Sequence, residues 1–237
     1  MNGSSRTRRS GRIQDQLSGI CVRRSRVGTF GVAPAEPITF DVFFDYLCPF
    51  VFRAAGLLDA VRRSGRRDLV VRWRYFSLTQ VNSKDDGWTV WSAPVSDNVK
   101  GRLAFAAAEA AKRQGRFDDL HMPLLQARHR DRLDIDDPAV VEKVAADAGL
   151  DVGRFRSDLA DPNILDGLAR DHRQAVAELG VFGTPTFVFA DGASAYVRLA
   201  DGVDENGALE VFDRLVTVAA AEPRILEIKR PRRPAAD

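Results

Sequence analysis

The sequence predicts an α/β fold: a strand–helix–strand unit, then a block of about 85 helical residues, then a strand–strand–helix unit. Three observations carry this. "ITFDVFF" (residues 38–44) and "DLVVRWRYFSL" (68–78) read as strands on either side of a helix-patterned stretch. From about 95 to 180 every segment has helical patterning, and "TPTFVFA" and "SAYVRLA" then restore the strand pattern ahead of a last amphipathic helix.

The first strand is β-branched and aromatic throughout, which suits burial on both faces. Asp45 and Tyr46 lead from it to Cys48, and Pro49 then suits the first turn of a helix, where its missing N–H costs nothing. Phe52, Ala55, Leu57, Leu58 and Val61 fall at helical spacing before Arg62, Arg63, Ser64 and Gly65 close the segment. With the second strand this makes a βαβ unit, whose parallel crossover is right-handed. A polar loop, "TQVNSKDDGWTVWSAP", follows. The helical block comprises "NVKGRLAFAAAEAAKRQG", "RFDDLHMPLLQARHR", "DDPAVVEKVAADAGL", "VGRFRSDLA" and "NILDGLARDHRQAVAELG", with Asp136 or Asp137 as a cap before Pro138. "DGAS" turns the last two strands into a hairpin, and "ENGALEVFDRLVTVAA" places Leu209, Phe212, Leu215 and Val216 on one helical face. This element order is that of a thioredoxin fold carrying an all-helical insertion between its two halves.

Charge is distributed unevenly. Residues 1–36 carry seven arginines against Asp15 and Glu36, and residues 223–237 are basic and proline-rich, which leaves residues 37–222 at about −6. The first segment is expected to be a disordered basic extension and the last a solvated tail, around a single domain at 37–222. The body has no basic stripe, so no nucleic-acid partner is expected. No run approaches the ~18 apolar residues of a membrane helix, so no membrane association is expected either. Arg8 and Arg9 resemble a twin-arginine signal and the arginine-rich bias resembles a transit peptide, but no apolar core follows them; an over-long start is the alternative to a real extension. Two cysteines, Cys21 and Cys48, cannot make a disulfide scaffold, and the expected compartment is reducing, hence cytoplasmic.

"FFDYLCPF" after the first strand, "VFGTPTFVF" before the third, and the helical stretch "LHMPLLQARHRDRLDIDDPAVVEKVAADAGLDVGRF" together resemble the DsbA-like thioredoxin-fold oxidoreductases, in particular their FrnE-like branch. The resemblance covers roughly residues 38–220. It implies that Cys48 is a nucleophile at a helix start and that Pro185 is a cis-proline facing it. Thr184 would then offer its backbone N–H and C=O to an extended thiol-bearing substrate, with Pro49 and Phe50 completing the thiol-binding rim. Independently of the family, a helix N-terminus presents unpaired N–H groups, here near Phe50 and Val51, that favour thiolate over thiol. Two plainer readings stand beside these: a buried cysteine can be inert, and a proline can simply start a strand. Asp45 reads either as a turn residue or as a like charge opposing the thiolate.

The sequence departs from the family at one position. Cys-Pro-Phe-Val stands where a Cys-x-x-Cys pair is usual, so Val51 cannot resolve a mixed disulfide, and Cys21 lies 27 residues upstream. The expected chemistry is that of a monothiol oxidoreductase: Cys48 pairs with a thiol-containing small molecule or protein, and an external low-molecular-weight thiol releases it. No bound cofactor and no metal are expected. His121 and His129 lack a ligand framework, and His172 falls in step with Leu168, Val176 and Leu179 at the edge of a core stripe. Trp88 and Trp91 either wall a pocket over the cysteine or pack the insertion on the core. Two other functions stand beside the redox reading: a thiol-dependent isomerase or transferase resembling the kappa-class glutathione transferases, and a non-catalytic thioredoxin-fold binding module.

Overall fold

The computed structural model describes residues 36–201 and 205–228. Cys21 and the expected disordered extension, apart from Glu36, lie outside the described residues, as does the end of the basic tail. Strand β1 (Ile38–Phe44) leads through a short turn into helix α1 (Pro49–Ser64) and strand β2 (Leu69–Tyr75), and the short helix α2 (Leu78–Val81) follows. The helical block comprises α3 (Arg102–Arg113), α4 (Phe117–His129), α5 (Pro138–Asp147), α6 (Val152–Leu159) and α7 (Asp166–Ala177). Strands β3 (Thr186–Phe189) and β4 (Ser194–Tyr196) and helix α8 (Glu205–Ala219) complete the order.

The sheet runs β2-β1-β3-β4. β1 and β2 are parallel, from Ile38 opposite Leu69 to Phe44 opposite Tyr75, while β3 is antiparallel to β1 with Phe40 opposite Phe189. Because side chains alternate along a strand, β1 serves two cores. Phe40, Val42 and Phe44 face the main one with α1, α8 and the helical block, and Phe43 joins Phe76, Ala175, Val181 and Val188 on the other side. The parallel pairing puts the ends of β1 and β2 side by side, and the Cys48 turn leaves from that end of the sheet.

Several elements differ from the sequence expectation. β2 stops at Tyr75: the Phe76 N–H makes the last bond to β1, at the Phe44 carbonyl, and the Ser77 hydroxyl then accepts from the Gln80 N–H, capping α2 inside what reads as a polar loop. α3 begins at Arg102, four residues after Asn98, because Asn98 and Gly101 both take positive φ and the Gly101 N–H is held by the Asp136 carboxylate. Asp137 is therefore the residue that caps α5 ahead of Pro138. β4 keeps only three residues at the sheet edge. The stripe proposed for α7 is rotated: Val176 and Leu179 are exposed, and Leu168, Ala169, Asp171, His172 and Ala175 are buried. Buried Asp171 accepts from Arg74 and from the Tyr75 N–H, so a charged residue occupies the core face at no loss of hydrogen bonds. Among the described residues no helix is long and apolar enough to cross a membrane, and no group of three or more His, Cys, Asp or Glu could hold a metal ion.

Candidate active site

Cys48 is the N-cap of α1, in extended conformation (φ −87°, ψ 116°), with Pro49 at the first helical position. Its N–H donates to the Asp45 carbonyl at 3.1 Å, and its carbonyl accepts from Val51 and Phe52. The Val51 amide is thereby turned toward a backbone oxygen. Of the first-turn amides expected to face the sulfur, Phe50's is the one without such a partner. The side chain of Cys48 is 6% exposed, and its Sγ–H donates to the Thr184 carbonyl at 3.2 Å. The Thr184–Pro185 peptide bond is cis. Thr186 Oγ1 donates to the Gly183 carbonyl and the Val197 N–H to the Pro185 carbonyl, which hold this turn from both sides.

The fold thus brings Cys48, Thr184 and Pro185 together across 136 residues of chain. Pro49 is exposed beside them, and Phe50 is half-buried under the guanidinium groups of Arg198 and Arg53, 4.0 and 5.1 Å from its ring centre. Thr184 is buried, and its Oγ1 has no hydrogen-bond partner.

The turn before Cys48 is held by polar groups. The Asp45 carboxylate, fully buried, accepts from the Leu47 N–H at 2.8 Å and the Leu78 N–H at 2.6 Å, so it ties the cysteine turn to the start of α2. Burial pushes its pKa up to about 6 against these two hydrogen bonds, and nearby Asp136 adds to the rise. Tyr46 is gripped at both ends: its hydroxyl meets His121 Nδ1 at 3.1 Å, and its carbonyl accepts from His129 Nε2 at 2.9 Å. Burial pulls the pKa of His121 down to about 3, so the ring is a neutral core group among Phe44, Trp73 and Phe117. His172 is likewise neutral, its pKa lowered to about 4 by burial, and its Nδ1 accepts from the Ser77 N–H. The histidines therefore shape the site from behind. A free-standing sequence gives no signal for this, since each partner lies more than 70 residues away.

The two tryptophans part company. Trp91 packs on His172, with the Arg173 guanidinium over its ring. Trp88 walls an open groove of about 550 Å³ that Leu47, Leu78, Thr79, Asn82, Ser83 and Asp85 also line. Leu47, next to Cys48, links groove and sulfur. Gly101 supports Leu47 from behind: at φ +77°, a Cβ there would come within 3.1 Å of Leu47 Cγ. Gly101→Ala is expected to cost about 1–2 kcal/mol through the left-handed backbone and the displaced leucine, read as a fall in the urea midpoint. Unchanged stability would show that the Leu47 contact gives way freely.

Comparison with known proteins agrees with this fold. A probable DsbA oxidoreductase of Streptomyces coelicolor superposes with a TM-score of 0.54 at 24% identity, over 81% of this chain and 94% of that one. A thioredoxin-like oxidoreductase of Silicibacter pomeroyi gives 0.51 at 22% identity, over 75% and 85%. Both share the fold. An uncharacterized protein of Mycobacterium tuberculosis is 29% identical over 202 residues, 83% of this chain and 84% of its own length. The Na(+)/H(+) antiporter NhaA 1 of Mycobacterium sp. strain KMS is 29% identical over 160 residues, which are 67% of this chain but only 22% of the antiporter. The profile of the DSBA-like thioredoxin domain matches residues 39–210, from the first strand into the last helix, and the chain belongs to that family.

Proposed function

We propose that the protein is a thiol oxidoreductase that works through Cys48 alone. The observation that carries this reading is the 3.2 Å contact between Cys48 Sγ and the carbonyl of Thr184, the residue before the cis-proline. A sulfur at that position is aligned with a backbone edge on which an extended thiol-bearing partner can lie. The Cys48 thiolate attacks a disulfide R–S–S–R, forming Cys48–S–S–R and releasing R–S⁻. With valine at position 51, no second protein thiol stands ready in α1 to displace R. An external low-molecular-weight thiol R′–SH therefore gives up its proton, attacks the mixed disulfide, forms R–S–S–R′ and returns Cys48 as thiolate. The cycle needs no bound cofactor and no metal. It needs a thiol-rich, reducing compartment, which favours the cytoplasm. Thiol-containing small molecules and protein thiols both qualify as partners.

The test is intact-mass analysis of the reduced full-length protein after exposure to glutathione disulfide, with Cys21→Ser and Cys48→Ser chains alongside. Cys21→Ser should take up one glutathione that added thiol removes again, and should accelerate exchange between reduced glutathione and hydroxyethyl disulfide. Cys48→Ser should lose that acceleration. Absence of an adduct on Cys48, where free cysteine reacts, would overturn the reading.

A further inference from the structure

We propose that Arg198 selects the partner thiol by charge, making the preferred co-substrate a small thiol or disulfide that carries a carboxylate. This deepens the reading above and rests on it. Arg198 stands at the meeting point of the two chain segments that flank Cys48. The N–H of its neighbour Val197 donates to the Pro185 carbonyl, and its own guanidinium lies 4.0 Å from the ring centre of Phe50, two residues after the cysteine. The cation is thus held on the rim of the sulfur site by a backbone hydrogen bond on one side and an aromatic face on the other. Stacking on a ring leaves the N–H groups at the edge of a guanidinium available, in the fork geometry that matches a carboxylate.

The surrounding charges leave Arg198 as the cation on offer. Arg53, on the same aromatic ring, is satisfied: it donates to the Leu199 carbonyl and pairs with both oxygens of Asp201. Among the described residues Arg198 is exposed and has no hydrogen bond or ion pair. The first turn of α1 holds no acidic residue, which leaves the positive end of the helix unopposed there. The Asp45 carboxylate, three residues before Cys48, is buried and directed to the Leu47 and Leu78 N–H groups. The exposed carboxylate near this ring, Asp201, is paired with Arg53, so among the described residues an incoming anion meets Arg198 and the α1 N-terminus with that charge already neutralised. Through solvent, one such charge at contact range changes an encounter by roughly three- to tenfold, and salt diminishes the effect.

Three disulfides of nearly equal size test this: 3,3′-dithiodipropionate (dianionic), 2-hydroxyethyl disulfide (neutral) and cystamine (dicationic). Their rates of mixed-disulfide formation on Cys48 are followed by mass spectrometry in the full-length Cys21→Ser protein. The parent should favour the dianion, less so as salt is raised. Arg198→Met keeps a long stem over Phe50 and should lower the ratio of dianion to neutral rates about three- to tenfold, whereas Arg198→Lys should restore most of it. An unchanged ratio in Arg198→Met overturns the proposal and leaves the Cys48 chemistry standing. Equal slowing of all three probes also overturns it, since the arginine would then act on the sulfur rather than on the partner. A Cys48 inert to all three overturns both.

Discussion

Cutting Phe44 back to alanine should destabilise the protein by about 4 kcal/mol, the typical cost of truncating a fully buried phenylalanine, against a total of about 5–15 kcal/mol for a domain. Phe44 ends β1 with no exposed surface, and its ring meets six others. Trp73 and Tyr75 come from β2, Phe105 from α3, Phe117 and His121 from α4, and Tyr46 from the cysteine turn. One side chain therefore joins the sheet, the helical block and the active-site turn. The cavity left by alanine would open at that junction, where packed rings cannot collapse without moving α4. Urea unfolding should give a lower midpoint, and the melting temperature should fall by roughly 8–16 °C at 2–4 °C per kcal/mol. Phe44→Leu, which keeps most of the volume, should cost about 1.5 kcal/mol. Phe182, 72% exposed, provides the contrast: alanine there should change stability by no more than about 0.5 kcal/mol. A loss below about 1 kcal/mol for Phe44→Ala would show that the helical block is not anchored through this ring.

Much of this arrangement is legible in the sequence because its signals are local. A run such as Ile38–Phe44 has one economical use, a strand buried on both faces, and Pro49 after Cys48 has few places to go but the first turn of a helix. Gly183, Thr184 and Pro185 ahead of a strand mark a tight turn in the same way. The parts that escape the sequence depend on partners far along the chain. Asp171 and His172 break the apolar pattern of α7, and only Arg74, Tyr75 and Ser77, 95 to 97 residues earlier, make their burial acceptable. Helix α2 has four residues, too few for any periodicity, and exists through the Ser77 cap. Arg198 reads as one more surface arginine until the fold sets it over the Phe50 ring, two residues after Cys48. Asp45 reads as a turn residue, which it is; its full burial and its hold on Leu78 depend on where α2 packs.

That burial makes Asp45→Asn a variant whose effect should change sign with pH. The side chain releases its proton near pH 4 in the unfolded chain but near pH 6 in the native protein. Between those values the native state binds the extra proton, so the contribution of Asp45 to stability is full below about pH 4 and is lost as pH rises through 6. A shift of about two pH units corresponds to about 3 kcal/mol. Asparagine escapes this loss, but its NH2 is a donor facing a backbone N–H, where even a protonated carboxyl keeps a hydroxyl oxygen that can accept; that mismatch costs about 1–2 kcal/mol at any pH. The variant should therefore be the less stable protein at pH 4 and the more stable one, by about 1 kcal/mol, at pH 7. Urea unfolding of both proteins from pH 4 to 8 measures the crossing, and parallel curves would mean that the carboxylate is not carried buried and charged. The ionised form is nevertheless the one with two acceptor oxygens, and both are directed at the turn that delivers Cys48 and at the helix that borders its groove. Ionisation of Asp45 thus costs stability at neutral pH while giving the Leu47 and Leu78 N–H groups their two strongest acceptors, and protonation should weaken these two bonds without unfolding the protein.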